Sequence, residues 1–360
     1  MTDAPVRLEE PLKDRVVENR RRLHRHPELS FQERETARWI SARLEDLGIE
    51  HREGVGGNGV VGRIVGGRPG PTVAFRADFD ALPIQEETDA PYVSTSPGVM
   101  HACGHDGHTA MLLGLAEVLQ NDLDQVHGEV ILIFQHAEEQ IPGGAASMVE
   151  DGCLRGVDAV FGVHLNTVLR TGQIGVCEGP AMAAADRFGV KISGSGGHGG
   201  FPHQTVDALV IAARAVLDLQ LIVSRYVDPL QPAVVSVGKL EAGSGFNVIA
   251  GRASLQGTVR TLSEEVRDLI EEKIDQTLRG LCEGTGASYE LDYQRGYPPL
   301  VNHAAASETV REAVRGLDRY ELVEREPIMG GEDFAYYLRE VPGCFFFVGA
   351  GNEEKGTTYP

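Results

Sequence analysis

Hydrophobic positions in the first half of the chain alternate between helical spacing and short, continuous apolar runs. Amphipathic stretches predict helices over 12–26 and 32–47, because Pro27 and Gly48 follow them and are typical stop signals. The apolar runs predict strands that are buried on both faces. We place these strands at 59–65, 72–77, 130–137 and 159–164, with helices at 108–120 and 144–151. This alternation is typical of an α/β domain with a mixed, largely parallel sheet flanked by helices.

The pattern changes near Ala181 and resumes after Pro298. Between these points the predicted order is strand, helix, strand, strand, helix, strand, which is that of a ferredoxin-like α+β unit. Its elements are expected at 186–193, 205–224, 233–243, 253–262, 264–283 and 287–294. The last part of the chain predicts helices at 307–317 and 332–338 and a strand at 344–348. We therefore expect a discontinuous first domain, residues 1–182 and 298–360, with residues 183–297 inserted as a second domain.

Composition narrows the class of protein. A net charge of -20 argues against nucleic acid and against an anionic membrane surface as partners. The charged N-terminus does not resemble a signal peptide, and no apolar run is long enough to span a bilayer. Five scattered cysteines indicate no disulfide framework, so we expect a cytoplasmic protein with free thiols.

The strongest chemical signal is the segment His101-Ala-Cys103-Gly-His105-Asp106-Gly-His108. Cysteine, histidine and aspartate are the residue types that bind transition metals, so this density predicts a metal site. Gly104 and Gly107 indicate a bend, and we expect the segment to be a loop, with His108 starting the next helix as a bystander. The alternative is a solvated polar loop that contains one buried thiol.

Two further signals follow predicted strands. The strand at 130–137 leads into Glu138 and Glu139. Neighbouring carboxylates repel each other, so such a pair at a strand end indicates a nearby cation or different roles for the two groups. We expect one glutamate to bind metal and the other to take a proton from metal-bound water. His164 ends another apolar strand, and the ends of parallel strands meet at one edge. An exposed acidic loop and a structural histidine are the corresponding alternatives, and His136 has no assigned role.

The glycine-rich segment 194–203 contains G-x-G-x-x-G, so a dinucleotide site is a rival interpretation. We disfavour it because Phe201-Pro-His separates the glycines from the helix, and the acidic residue of the fingerprint is missing. A loop that presents His198 to a ligand, or a plain glycine-rich loop, fits better. Asp78 could support a metal-bound histidine or form a salt bridge, and Asn247 and Arg260 could hold a substrate carboxylate.

Taken together, these segments resemble the amidohydrolase branch of the aminoacylase and carboxypeptidase-like metallopeptidases. That branch includes hippurate hydrolases, N-acyl-amino-acid amidohydrolases and indole-acetyl-amino-acid hydrolases. The matching segments run in order from residue 23 to residue 337, and the most specific are HACGHDGHT and GGEDFAYY. The others are LHRHPELSFQE, FRADFDALP, QHAEEQIPGGA, GVHLN, GSGGHGGFPH, FNVI and GTVRT.

The resemblance implies hydrolysis of N-acyl-amino acids with two divalent metal ions, zinc or manganese, with cobalt or nickel as alternatives. Glu138 is then the general base and acid, His198 the oxyanion donor and Asn247 a substrate contact. The inserted domain would form a homodimer or a higher homo-oligomer. The implied metal ligands are Cys103, His105, Glu139 and His164.

Two departures from the family pattern keep alternatives open. Family members carry a final metal-binding histidine after the GGEDFAYY stretch and the following strand, where this sequence ends at Pro360. Either the sequence is truncated there or one metal position is incomplete. QHAEE also differs, because the family usually has proline before the alanine. The alternatives are a dipeptidase or aminopeptidase on the same scaffold, and a metal-poor, non-catalytic relative.

Overall fold

The computed structural model of the protein describes residues 10–357, which fall into two compact units. The first unit contains the chain up to Gly179, Val301–Glu326 and the segment from Asp333 onwards. The second unit contains Pro180–Leu300 and Pro327–Glu332. The described residues do not include 1–9 and 358–360. The start of the N-terminal segment considered as a signal peptide and the expected end of the first domain therefore lie outside them.

The helices begin and end close to the predicted positions. Within the described residues they are α1 Glu10–Arg25, α2 Arg34–Asp46, α3 His105–Asn121, α4 Ala145–Glu150, α5 Ala208–Arg225, α6 Glu264–Thr285, α7 Ala304–Arg315 and α8 Ala335–Glu340. The helix predicted at 332–338 starts three positions late, because the Asp333 carboxylate instead binds Arg76 and the Ala145 N–H, at 2.9 and 3.0 Å.

The strands of the first unit form an eight-stranded sheet. In order across the sheet these strands are β1 Glu50–Val55, β2 Gly59–Val65, β4 His127–Gln135, β3 Arg68–Asp78, β5 Ala159–Arg170, β16 Gly343–Gly351, β6 Gln173–Val176 and β15 Glu321–Glu324. The central neighbours β4, β3, β5 and β16 run parallel, and antiparallel pairs lie on either side. The short strands β1, β6 and β15 were not predicted, since their sequences are polar or only four residues long.

Helices cover this sheet through apolar side chains. Ile40 and Leu44 of α2 and Leu113 of α3 pack with Leu132 and Phe134 of β4 in one buried cluster. A second cluster joins α7 to β6 and β16. The mixed, largely parallel α/β sheet that the sequence predicts is confirmed.

The second unit has the predicted order of strands and helices. Its four-stranded antiparallel sheet has the order β10 Ala233–Ala242, β12 Arg252–Thr261, β8 Ala184–Ser193 and β13 Ser288–Gln294. Helices α5 and α6 pack on it through a core that includes Ile211, Leu219, Ile270 and Leu278. This order is that of the ferredoxin-like fold. Short strands β9 Gly197–His198 and β11 Val248–Ile249 pair with each other, and β7 Gly179–Met182 and β14 Leu300–Asn302 complete the strands.

Across residues 10–357, the helices are all too short or too polar to cross a membrane.

Candidate metal centre

The carboxyl ends of the central parallel strands bring the candidate residues together. β3 ends at Asp78, directly beside the last residue of β4, Gln135. β5 pairs with β3 as far as Gly162, which lies beside Arg76, and the same register continued by two residues places His164 level with Asp78. Residues that follow these positions therefore meet at one edge of the sheet, as in other open α/β folds.

Helix α3, which carries several of the metal-type side chains, starts earlier than expected. Gly104 has a φ of 97°, a backbone conformation that favours glycine, and the helix begins at the next residue, His105. The predicted helix start at His108 is therefore wrong by three residues. Residues 101–104 form a loop as expected, but Gly107 and His108 lie within the first turn of α3. The sharp turn at Gly104 points Cys103 and His105 into the same space.

Cys103, His105 and His164 form the first half of the cluster. Ligand atoms of the three side chains lie within 4.8 Å of one another. The distance between Cys103 Sγ and His164 Nε2 is 3.3 Å. Two ligand atoms that each lie about 2.0–2.3 Å from one tetrahedral ion are separated from each other by a distance similar to that between these two atoms.

Glu138 and Glu139 form the second half, also around His105. The His105 Nε2 atom lies 4.0 Å from a Glu138 oxygen and 3.8 Å from a Glu139 oxygen. Both distances are too long for a hydrogen bond, but they suit two ligands of a common cation. The structure thus brings together the five residues that were predicted to form the metal site.

Hydrogen bonds orient both histidines for metal binding. His105 Nδ1 lies 3.1 Å from an Asp80 carboxylate oxygen and 3.0 Å from the Asp80 carbonyl, so this nitrogen donates. His164 Nδ1 donates to the Leu165 carbonyl at 2.6 Å. Each ring therefore presents the lone pair of its Nε2 atom to the cluster, which is the tautomer that a metal-binding histidine needs.

The electrostatics of the cluster favour a cation. The buried atoms His105 Nε2 and Glu139 Oε1 make no hydrogen bond of good geometry within residues 10–357. Burial by itself lowers the pKa of His105, but the Asp78 carboxylate and the Cys103 thiol outweigh it and hold this pKa well above its usual range. Burial raises the pKa of Glu139. A site that attracts a proton to Nε2 and destabilises a bare carboxylate fits a divalent metal ion.

Of the two alternatives for Asp78, the structure shows the salt bridge, with Arg76. Asp78 lies 2.5 Å from Arg76 and 2.6 Å from His108 Nδ1, and one of its oxygens is 3.8 Å from His105 Nε2. The hydrogen bond to a candidate metal-binding histidine, expected from Asp78, is instead made by Asp80. Asp80 also accepts the Ser30 hydroxyl at 2.7 Å and the Glu139 N–H at 3.0 Å.

His108 is not a bystander. Burial lowers the pKa of His108 to about 4, so its ring is neutral. Its Nδ1–H donates to Asp78, and its Nε2 accepts the Leu165 N–H at 2.9 Å. His108 therefore fixes the backbone segment to which the His164 ring is bonded.

His136 lies behind the cluster rather than in it. Its buried ring meets the edge of the Phe31 ring at 5.9 Å between centroids. Its Nδ1 has no hydrogen-bond partner within residues 10–357. Nothing in these contacts gives His136 a chemical role.

In the second unit the structure brings His198 and Asn247 together. His198 pairs with Val248 across the β9–β11 ribbon, and the Gly199 N–H donates to the Asn247 carbonyl at 2.8 Å. Arg260 donates to the carbonyls of Val259 and Asp186 at 3.0 and 3.4 Å and to the Thr258 hydroxyl. Burial lowers the pKa of Arg260, against the opposing charge of Asp186.

Sequence reasoning missed two residues that support the cluster. Asp80 stood in the same short motif as Asp78, and its position two residues later was the available signal. Glu33 is fully buried, and its carboxylate accepts the Ala137 N–H at 2.8 Å. It is the last residue of the segment LHRHPELSFQE, and its place in that segment was the available signal.

Comparison with known proteins gives consistent matches. The family model described as Peptidase family M20/M25/M40 matches residues 74–359. N-acyl-L-amino acid amidohydrolase of Geobacillus stearothermophilus is 50% identical over 82% of this chain and 80% of that protein. Thermostable carboxypeptidase 1 of Saccharolobus solfataricus is 41% identical over 97% and 89%. A crystal structure from Bacillus subtilis, described as a dinuclear metal-binding peptidase of the M20 family, has a TM-score of 0.84 at 39% identity, covering 95% and 89%.

Proposed function

The chain belongs to peptidase family M20/M25/M40 and is a metal-dependent hydrolase of amide bonds, and from that premise we propose that its substrates are N-acyl-amino acids. The observation that carries the proposal is the convergence of Glu138 and Glu139 on His105 Nε2, at 4.0 and 3.8 Å. Half of the aligned residues are identical to those of an N-acyl-L-amino acid amidohydrolase, which supports this substrate class.

Cys103, His105, Glu139 and His164 would hold two divalent metal ions, zinc or manganese. This donor set of thiolate, imidazole and carboxylate suits such ions. A metal bound here would lower the pKa of its water and polarise the amide carbonyl. Asp80 and the Leu165 carbonyl keep the two imidazoles in the required tautomer.

Glu138 takes the proton of the attacking water and returns it to the leaving nitrogen. Its side chain is 9% exposed, and a carboxylate oxygen lies 4.0 Å from His105 Nε2, so it shares the cluster with the ligands. Burial next to a cation adjusts a carboxylate for this two-way proton transfer. Glu139 is the ligand of the pair because its Oε1 is the buried oxygen without a hydrogen bond.

Residues of the second unit would complete substrate recognition. His198 donates a hydrogen bond to the developing oxyanion. Asn247 contacts the substrate, and Arg260 pairs with its carboxylate, since the described hydrogen bonds of this guanidinium go to carbonyls and a hydroxyl. Replacing His198 with alanine should lower kcat while metal content stays constant.

Matched substitutions of the two glutamates test the division of labour. Glu138→Ala should lower kcat on N-acetyl- and N-benzoyl-amino acids by about 10²–10⁴-fold and leave metal content near normal. Glu139→Ala should lose metal, because it removes a ligand. Elemental analysis of both variants decides the roles. Loss of metal from Glu138→Ala at normal folding would overturn the assignment.

The substrate class has its own test. Purified protein should hydrolyse acylated amino acids in preference to dipeptides with a free α-amine. The opposite preference would identify a dipeptidase or aminopeptidase. Similarity to a protein named as a carboxypeptidase is the reason to test peptide substrates as well. Absence of both activities together with absence of bound metal would identify a non-catalytic relative.

We also propose that the second unit forms a homodimer. Helix α5 exposes Val210, Leu217 and Leu221, which are 60%, 68% and 49% exposed and share one helix face. β10 is an edge strand of the four-stranded sheet. Leu217→Lys should shift the protein from dimer to monomer in light scattering at low micromolar concentration, and a monomeric wild type would contradict the proposal.

A further inference from the structure

Left-handed backbone occurs at two non-glycine residues of the segment 10–357, Phe31 with φ 64° and Ala137 with φ 54°. For an L-amino acid with a side chain this conformation is strained, because Cβ comes too close to the following carbonyl oxygen. Such strain persists only where the surrounding contacts maintain it, and it is concentrated at functional sites. Ala137 directly precedes the glutamate pair.

The turn at Ala137 explains why both glutamates reach the metal centre. In an extended strand, successive side chains point to opposite faces. β4 ends at Gln135, and after the turn at Ala137 carboxylate oxygens of Glu138 and Glu139 both lie within 4.0 Å of His105 Nε2. The conformation of Ala137 is therefore part of the geometry of the site.

One side chain holds this turn from a distant part of the sequence. The Glu33 Oε1 atom accepts the Ala137 N–H at 2.8 Å, and its Oε2 accepts the Asn58 side-chain amide at 3.0 Å. Next to it, the Phe31 ring contacts His136, the residue before Ala137. The segment that contains Phe31 and Glu33 thus contacts the segment that contains His136 and Ala137 twice, through a hydrogen bond and through a ring contact.

Glu33 is an unfavourable residue to bury unless it serves a purpose. Its side chain is 0% exposed, and no described ion pair joins it to a cation. Burial raises the pKa of Glu33 to about 7 although the Asn58 and Ala137 donors oppose this. A buried carboxyl that destabilises the fold is more typical of a functional site than of a core.

We propose that Glu33 is a positioning residue that holds Ala137 in the left-handed turn, so that Glu138 and Glu139 face the metal centre together. The roles of Glu138 and Glu139 in this statement rest on the proposed function. The contact between Glu33 and Ala137 and its effect on metal binding do not depend on the substrate.

The test compares Glu33→Ala, Glu33→Gln and the double variant Glu33→Ala/Ala137→Gly. Glu33→Ala should weaken zinc binding and lower kcat by about tenfold or more, with little change in KM. Glu33→Gln should stay within about threefold of wild type, because an amide oxygen can still accept the Ala137 N–H. Glycine adopts positive φ without strain, so Ala137→Gly should recover at least part of the loss in the Glu33→Ala background.

Glu28→Ala is the matched control. Glu28 is an acidic residue of the same segment whose carboxylate accepts the Thr36 N–H at 2.7 Å, without contacting Ala137. It should change thermal stability but leave zinc affinity and kcat within about threefold of wild type.

Two results would overturn the proposal: zinc affinity and kcat of Glu33→Ala equal to wild type, or no gain from Ala137→Gly. If Glu33→Ala does not fold, the comparison of Glu33→Gln with Asn58→Ala replaces it, and a tenfold loss in Glu33→Gln would then overturn the proposal. Zinc titration separates this outcome from failure of the proposed function, because it requires no substrate.

Discussion

His108 accepts a hydrogen bond from the backbone N–H of Leu165, with 2.9 Å between the His108 Nε2 atom and the amide nitrogen. The Leu165 carbonyl in turn accepts from His164 Nδ1 at 2.6 Å. A side chain on helix α3 thus orients a candidate metal ligand on strand β5 through the backbone N–H and carbonyl of Leu165. Its own orientation depends on Asp78, at 2.6 Å from His108 Nδ1.

The first prediction concerns this relay. His108→Ala should reduce zinc affinity by about 10–100-fold, because the Leu165 segment and the His164 ring lose their fixed position. Isothermal titration of metal-free protein measures the change. His51→Ala is the control, since within residues 10–357 the described hydrogen bond of the His51 ring is to the nearby Ile49 carbonyl. This variant should bind zinc as wild type does. Equal affinities of both variants would contradict the relay.

The second prediction concerns Asp80, which serves His105, Ser30 and the Glu139 N–H at once. Asp80→Asn keeps one acceptor oxygen and loses the negative charge, so zinc affinity should fall by about 10–100-fold. Asp158→Asn is a fair comparison, because Asp158 also accepts a backbone N–H, that of Thr72 in β3, at 2.8 Å. That variant should retain its metal. An Asp80→Asn protein with full zinc affinity would refute the support role.

The third prediction is a pH dependence of stability. The folded-state pKa of Glu33 is raised to about 7, mainly by burial and also by the Asp80 charge, above its ordinary value near 4.5. The unfolded state therefore releases this proton first as pH rises, so the destabilisation grows from about pH 4.5 and is complete above about pH 7. Its full size is about 3 kcal/mol.

Glu33→Gln removes this effect. Urea unfolding of metal-free protein should show the variant to be more stable than wild type at pH 8, with the difference shrinking towards pH 5. A difference that is constant over this range would mean that Glu33 does not titrate as described.

The fourth prediction concerns stability of the second unit. The buried Asp186 carboxylate accepts from Arg267 at 2.5 and 2.8 Å and from the Tyr293 hydroxyl at 2.9 Å. Arg267→Ala leaves a buried charge unpaired and should cost about 3–5 kcal/mol. Arg279→Ala on the same helix removes exposed contacts with Tyr289 and Asp275 and should cost far less stability than Arg267→Ala. Denaturant unfolding of the two variants should separate them clearly.

Much of the fold was predictable because the information is local. Apolar runs and helical periodicity predicted the central strands and the helices to within a few residues, and the order βαββαβ predicted the second unit. The metal-type residues of 101–108 and the pair Glu138 and Glu139 were visible as residue types in a short segment. Short polar strands such as β1 could not be predicted. β1 is a strand because it pairs with β2, and its own pattern of apolar positions does not indicate one.

The sequence by itself determined which residue types could bind a metal and which strand ends would carry them. Only the tertiary structure decided which partners support them. Glu33 and Ala137 are 104 positions apart, and His108 and Leu165 are 57 apart. Such hydrogen bonds depend on how the chain is brought back to the same edge of the sheet, and they join side chains to backbone groups that every residue carries. A backbone N–H leaves no trace in the sequence, so its partner becomes visible only when the fold is known.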